Sequence, residues 1–477
     1  MKKKYVRWTL WTIASPFILF IILCILIYLP PIQNFLVDKA AVYASEATGM
    51  NISVGRISLS FPLNLVVTNV DAASPHNDTL LSVRRLQVNV QLLPLLKKQV
   101  EVDGISLQGA TVNSNDLIHG MKLNGTLGEL FISSHGVALD PETAIVNKVL
   151  LKDTDLSLCL NDTAAADTAA SDTTYWKIIL QDIDLQNVSF ALDMPLDSLS
   201  LAASLDNAIL RDGLIDLHKS AYSLQTFRIE NGRVRYDNGK PLAADSLSSG
   251  LDPSHIALTD IGVKLDSLYY GGRNMKAIIS QFVLKERSGV EIVSATGRMV
   301  SNDKVLRVPS LKLETRDSYL ELNAAMDWNA LDFKDEGLVS ARLMADIGKP
   351  DVVRFMGSMD EKFIRQYPSE PLRIRTGIDG DLNKLKLTTL TAELPGALGL
   401  FARGELTHLT DSLLRGGDIT LEAETKDLKF VSTLAEGIEI PYGTRLEGKF
   451  TMAGTKMGTD LLLMQPEAQA VAAADTI

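Results

Sequence analysis

The sequence predicts a mainly β protein: a single N-terminal transmembrane helix, a short connecting helix, then a long, curled, irregular β-sheet trough with few helices. Three observations predict it. An uncharged apolar run lies near the N-terminus. From Asn51 onward, apolar and polar residues alternate almost throughout, the period of strands with one dry face. That alternation slips by one residue, repeatedly, at an Asn, Asp or Gly.

The run "WTLWTIASPFILFIILCILIYL", Trp8–Leu29, carries no charge. Its 22 residues, at ~1.5 Å rise, extend about 33 Å, enough for a hydrocarbon core of ~30 Å. Lys2, Lys3, Lys4 and Arg7 precede it and orient residues 1–7 to the cytoplasm. Trp8, Trp11 and Tyr28 suit the two interfaces, Leu29 ends the anchor, and Pro16 is tolerable early in such a helix. A cleavable signal peptide is the alternative, with "VYAS" at 42–45 as its cleavage site. That site lies well past the apolar run, and the run exceeds a typical signal core, so an uncleaved anchor is the reading. Residues 30–49 follow with helical spacing at Ile32, Phe35, Leu36, Tyr43 and Ala47, and Gly49 is placed to end that helix.

Residues 50–460 read as the β trough. In "DGISLQGATVNS", 103–114, Ile105 and Leu107 share one parity, Gly109 interrupts, and Ala110 and Val112 resume on the other. The same slip follows Ile183 and Leu185 at Asn187, and follows Phe227 and Ile229 at Asn231–Gly232. It recurs at Asn69, at Asp153 and at Asp212–Gly213. These residue types reach positive φ at low cost. One such residue inserted in a strand gives a bulge that re-aims every later side chain. A tight hairpin turn is the competing reading. The intervals are uneven, which disfavours a strict solenoid.

Helical signals in this region are few. "DVVRFMGSMDEKFIRQY", 351–367, places Val352, Phe355, Met359 and Phe363 on one helical face. The acidic, low-complexity stretch 161–174 reads as a disordered loop. Its Asp162, Asp167 and Asp172 lack the spacing of a calcium loop. The last clear strand signal is "TRLEGKFTMAG", 444–454, and residues 461–477 form a low-complexity tail.

Chemistry of the catalytic kind is not legible. The six histidines are dispersed, and no metal-ligand pair, nucleophile elbow or phosphate loop occurs. No cofactor, metal or catalytic residue is expected, and the chain does not read as an enzyme. A net charge of −11 gives no reason to expect nucleic acid as a partner. Of the two cysteines, Cys24 lies in the anchor and Cys159 beyond it, which disfavours a disulfide between them. What remains is a surface. Aromatics are only 6% of residues, so the dry face is aliphatic. A sheet face of that kind must be covered, and with helices scarce the solution is a curled trough filled by something greasy. Ile105, Leu107, Ile183, Leu185, Phe227 and Ile229, at matching positions before each slip, are expected to line it. Roughly 30 strands at ~4.8 Å would give on the order of 140 Å of trough.

Residues 1–113 also carry a resemblance. A basic N-terminus, one anchor and a short helix lead into "RISLSFPLNLVVTNVDAAS" and "DTLLSVRRLQVNVQLLPLLKKQVEVDGISLQGATV". This order is similar to the start of the AsmA-like and TamB group of bacterial envelope proteins. The resemblance implies an inner-membrane-anchored β groove in the periplasm. It also implies phospholipid transport between the membranes, or assembly of outer-membrane proteins beside a β-barrel partner of the Omp85 type. A counterpart of the C-terminal domain by which TamB proteins meet that barrel is not recognisable before Ile477, which leaves a fragment or a shorter AsmA-like relative as readings. An inert anchored scaffold with a closed core is the third alternative.

The anchor gives a topological prediction. Protease added to spheroplasts should digest the β region and leave the Lys2–Arg7 end protected. Protection of the β region would contradict the orientation.

Overall fold

A computed structural model describes residues 39–464, apart from 40, 43, 44, 47, 61–63, 75–77, 92–101, 115–119, 139–141, 162–174, 241–249, 333–336, 357–360 and 434–440. The predicted anchor with Lys2, Lys3, Lys4, Arg7, Trp8, Trp11, Pro16, Tyr28 and Leu29 lies outside them, as do nearly all of the acidic loop and the end of the tail. Among the described residues no helix is long and apolar enough to cross a membrane. The described residues between Lys39 and Thr48 are helical, and Gly49, at φ +70, closes that segment by donating to the Ser45 carbonyl at 2.9 Å.

The chain is mainly β and forms two compact units, Met1–Ser220 with Arg235–Gly239, and Ala221–Val234 with Lys240–Ile477. The first unit holds β1 (Asn51–Ser60), β2 (Asn64–Ala73), β3 (Thr79–Val90), β4 (Val102–Asn113), β5 (Met121–Ala138), β6 (Thr143–Leu160), β7 (Lys177–Met194) and β8 (Leu199–Asp216). Each pairs with the next, antiparallel except for the parallel β6–β7 pair. Chain order therefore equals sheet order, and β2, β4, β6 and β7 all run the same way.

The second unit holds β9 (Ala221–Leu224), most of β10 (Thr226–Asp237), β11 (His255–Gly271), β12 (Asn274–Glu286), β13 (Glu291–Ser301), β14 (Val305–Thr315), β15 (Tyr319–Asp327), β16 (Leu338–Ile347), β17 (Leu372–Asp381), β18 (Lys384–Leu394), β19 (Leu398–Thr407), β20 (Gly416–Thr425), β21 (Arg445–Ala453) and β22 (Lys456–Met464). From β11 onward these form an antiparallel meander. The described strands number 22, fewer than the roughly 30 expected, because several run to 18 residues. β22 extends the sheet past the last strand signal read from sequence. Gly454, at φ +60, makes the turn into it.

Three short helices belong to this unit: α1 (Trp328–Leu331), α2 (Lys349–Phe355) and α3 (Glu361–Gln366). The single apolar face expected over 351–367 is not formed. Phe363 is 2% exposed but Phe355 is 56% exposed, because α2 and α3 are separate elements; Met359 lies outside the described residues.

The slip positions take a specific backbone. Asn69, Gly109, Asp153, Asn187, Asp212 and Asn231 all have φ between 50° and 62° and sit inside strands, not in turns. Gly213 and Gly232 were expected to share this role and do not; their φ is not left-handed. Both are buried, and a Cβ on Gly213 would lie 2.9 Å from Leu210 Cδ2, while one on Gly232 would lie 3.1 Å from Ile261 Cβ. They supply space beside the bend, and Asp212 and Asn231 supply the bend.

In β1–β8 the device is not an inserted residue. Val54 pairs Val70 and Arg56 pairs Thr68, so Gly55 faces Asn69 one-to-one and the offset is unchanged across the slip. The same skipped row continues as Arg84, Gly109, Gly128, Asp153, Asn187 and Asp206. A seam thus crosses all eight strands in register. Asn69, Gly109, Asp153 and Asn187 are its left-handed residues, all on strands running one way; Gly55, Arg84, Gly128 and Asp206 on the others are not left-handed. A one-residue bulge does occur at Asp260, φ 52, where Asp260 and Ile261 oppose Leu284. Two more lie at Pro309–Ser310 and Thr388–Thr389, which carry no slip of the Asn/Asp/Gly kind.

The seam gives a stability prediction. Asn187→Val should cost about 1–2 kcal/mol, the penalty of a Cβ-branched residue held left-handed, whereas Asn187→Gly should cost clearly less. Urea unfolding midpoints measure both; equal losses would show that the backbone there needs no left-handed residue.

Candidate apolar binding surface

Residues directly opposite on paired strands share a face. In the first unit this assembles rows that run across the whole sheet. Leu59, Leu65, Val88, Ile105, Ile132, Val149, Ile183 and Leu210 form one. Ile57, Val67, Leu86, Leu107, Leu130, Leu151, Leu185 and Ala208 form the next. Beyond the seam come Val54, Val70, Val83, Ala110, Leu127, Thr154, Val188 and Leu205. The fourth row runs from Ile52 through Leu81, Val112 and Leu156 to Phe190 and Ala203.

The seam keeps these rows on one face. In β1, Ile52, Val54, Ile57 and Leu59 are half-buried and every other residue is exposed, so the drier parity changes at Gly55. The opposite face is mostly polar, with Val66, Phe131, Leu150 and Ile209 sharing one of its rows with Ser58, Gln87, Ser106 and Asp184. Beside the seam, Arg56, Thr68, Arg85, Gln108, Glu129, Lys152, Gln186 and Asn207 form an unbroken polar row. Asn187 donates from Nδ2 to Asp153 Oδ1 at 2.9 Å across the parallel pair, with both side chains exposed.

Ile105 and Ile183 therefore share one row and Leu107 and Leu185 the adjacent one, with β5 and β6 between them. Phe227 and Ile229 belong to the second unit and are half-buried on β10. Ile229 and Asn231 border a cavity of about 580 Å³ whose other walls include Arg228, Glu230, Asp260 and Lys264. That lining is of mixed charge, so Ile229 has polar neighbours that its parity did not foretell.

The apolar rows of the first unit are mostly half-buried; its fully buried apolar residues are Ala72, Leu80, Val83 and Ala208. Eight strands at ~4.8 Å and about 23 Å along each strand give a face on the order of 800 Å². That exceeds the roughly 300–600 Å² of the largest apolar patch on a typical monomer.

In the second unit the dry face is partly walled. One row joins Phe282, Ala295, Leu313, Leu320, Ala345, Ile374, Ala392, Leu400, Ala423, Leu446 and Leu463. Its neighbour contains Leu343, Thr376, Leu390, Ala402 and Leu421. At one strand end, Phe363 and Tyr367, on and just after α3, and Phe430, from the 3₁₀ turn Lys429–Thr433, pack on Leu394 and Ala397, with Leu372 and Leu398 against them. The three rings stand 5.1–5.8 Å apart. Burial pushes the Tyr367 phenol above its ordinary pKa. At the other end, Ala330 of α1 packs on Val339 and Leu382, with Met326, Ile378 and Leu385 beside them.

Both walls are tied down by polar contacts. Asp351 of α2, 1% exposed, accepts from Ser318 Oγ at 2.6 Å, from Thr315 Oγ1 and from Arg354 at 3.0 Å. Lys349 Nζ donates to the Tyr367 carbonyl at 2.7 Å. Trp328 Nε1 donates to the Asn302 carbonyl at 2.6 Å, under Arg273, which pairs with Asp332 at 2.9 Å. Among the described residues no cluster of three His, Cys, Asp or Glu could hold a metal ion.

A carboxylate at position 183 would reach water from the open face, so Ile183→Asp should stay folded by circular dichroism and lose binding of a nonpolar fluorescent probe. Asp184, though on the opposite parity, is unsuited as the control because it accepts from Arg211 at 2.8 Å. Gln186→Ile, on the polar row, should leave probe binding intact. Unfolding by Ile183→Asp would show a closed core. Neither a protein-family model nor a curated protein matches this chain.

Proposed function

We propose that the chain is an inner-membrane-anchored periplasmic groove protein that carries phospholipid between the inner and outer membranes. The observation that carries this reading is the continuous, mostly half-buried aliphatic face of β1–β8; among the described residues both hydrophobic clusters built on short helices belong to the second unit. Acyl chains would lie along the rows, gaining up to ~0.8 kcal/mol per buried CH₂. Head groups would stay in water at the open side. Passage needs no catalytic group, because most steps along a row exchange one aliphatic neighbour for another. The anchor Trp8–Leu29 and the resemblance of residues 1–113 supply the compartment.

One observation favours a second reading, an assembly factor that offers a strand edge to outer-membrane proteins by β-augmentation. Among the described residues β22 pairs only with β21, and its Leu462 and Leu463 are each 56% exposed.

Photo-crosslinking residues placed in cells at Leu107 and Leu151, at Gln108 and Lys152 on the polar row, and at Leu462 on β22, test both. The transport reading expects phospholipid adducts at the first pair only. Equal adducts at both pairs would overturn it, and protein adducts concentrated on β22 would favour assembly.

A further inference from the structure

Resting on the lipid-groove reading, we infer that the two walls of the second unit form a width filter, with Phe363 and Phe430 as its specificity-determining residues. Along β17, Leu372 meets the aromatic wall and Ile378 meets the α1 wall. The six residues from one to the other, at ~3.4 Å each, set those rows roughly 20 Å apart. Only the rows of Ile374 and Thr376 lie between them. Those two rows make a strip about 13 Å wide. Extended hydrocarbon chains in van der Waals contact need about 4–5 Å apiece. Two or three chains fit abreast, and a layer of four does not.

The floor and the walls are built for a fixed width. Ala345, Ala402 and Ala423 are buried between leucine or isoleucine neighbours, so small residues recur along the floor. The walls stand on fixed bases, since Asp351 ties α2 to the β14–β15 turn, Lys349 ties α2 to the end of α3, and Trp328 ties α1 to the β13–β14 turn. The first unit has no such walls among its described residues, so selection by width belongs to the second. A lipid presenting two acyl chains passes, and a glycolipid presenting four or more in one layer is excluded.

The test places a photo-crosslinking residue at Leu390, on the floor, in the full chain. The cells' envelope should contain both diacyl phospholipid and a multi-chain glycolipid. Wild-type walls should give two-chain adducts alone. Phe363→Ala with Phe430→Ala should raise multi-chain adducts roughly tenfold or more. Because that pair is part of a packed cluster, Ala392→Phe is the second variant. It narrows the floor from within and should replace two-chain adducts by single-chain lysophospholipid. Multi-chain adducts in the wild type at their membrane abundance would overturn the filter while leaving the groove. So would an unchanged lipid profile in both variants. No lipid adduct at Leu390 or on the first unit's rows would overturn the groove itself.

Discussion

Everything in this protein depends on side-chain parity along a strand. A strand shows alternate residues to alternate faces, so one dry face survives only while the apolar residues keep step with the pleat. On β2, β4, β6 and β7 a single left-handed residue marks the change of step; on β1, β3, β5 and β8 the residue in the same row is not left-handed. Isolated in one strand, that change would bury its neighbours' polar residues against apolar ones. In β1–β8 all strands change step in the same row, so each strand's error cancels the next one's. Gly55 and Gly128 show how tight the crossing is: a Cβ on Gly55 would lie 3.0 Å from Asn69 Cβ, and one on Gly128 would lie 2.8 Å from Asp153 Cβ.

Two consequences follow for the faces. The seam residues Gly55, Asn69, Arg84, Asp153, Asn187 and Asp206 are exposed, so the bend is hydrated and needs no buried partner. The apolar rows on the other side remain continuous through the bend, at the level of side-chain contact, even though the backbone turns. A face so continuous and so aliphatic is suited to ligands without directional groups. Hydrogen-bonding ligands would find almost nothing there to hold them, Thr154 being spent on the Lys152 carbonyl at 3.2 Å.

The two units solve the same problem differently. The first bends with in-register left-handed residues, has one-residue register shifts at Leu80, Asp103 and Asn147, and leaves its dry face open among the described residues. The second keeps strict alternation in β15, β16, β17 and β19, uses one-residue bulges at Asp260, Pro309–Ser310 and Thr388–Thr389, and places short helices at both strand ends. Three aromatic residues, Phe363, Tyr367 and Phe430, meet in its wall, where large planar side chains fill a corner that aliphatic ones would leave loose.

Sequence alone determined the strand-rich class, the aliphatic face and the places where parity slips. These are local properties: alternation is read within one strand, and only Asn, Asp and Gly enter the left-handed region cheaply. Tertiary structure decided what each slip faces. Gly55, Arg84, Gly128 and Asp206 carry the seam on the other strands, and β1 and β5 do show a parity slip at Gly55 and Gly128. Nothing in their own segments, however, says that they meet Asn69 and Asp153. The parallel β6–β7 pair, the true bulge at Asp260, the added strand β22 and the separation of α2 from α3 were also non-local. Each rests on a pairing or packing partner distant in the chain, and register between strands is set by the sum of those contacts, not by any residue within them.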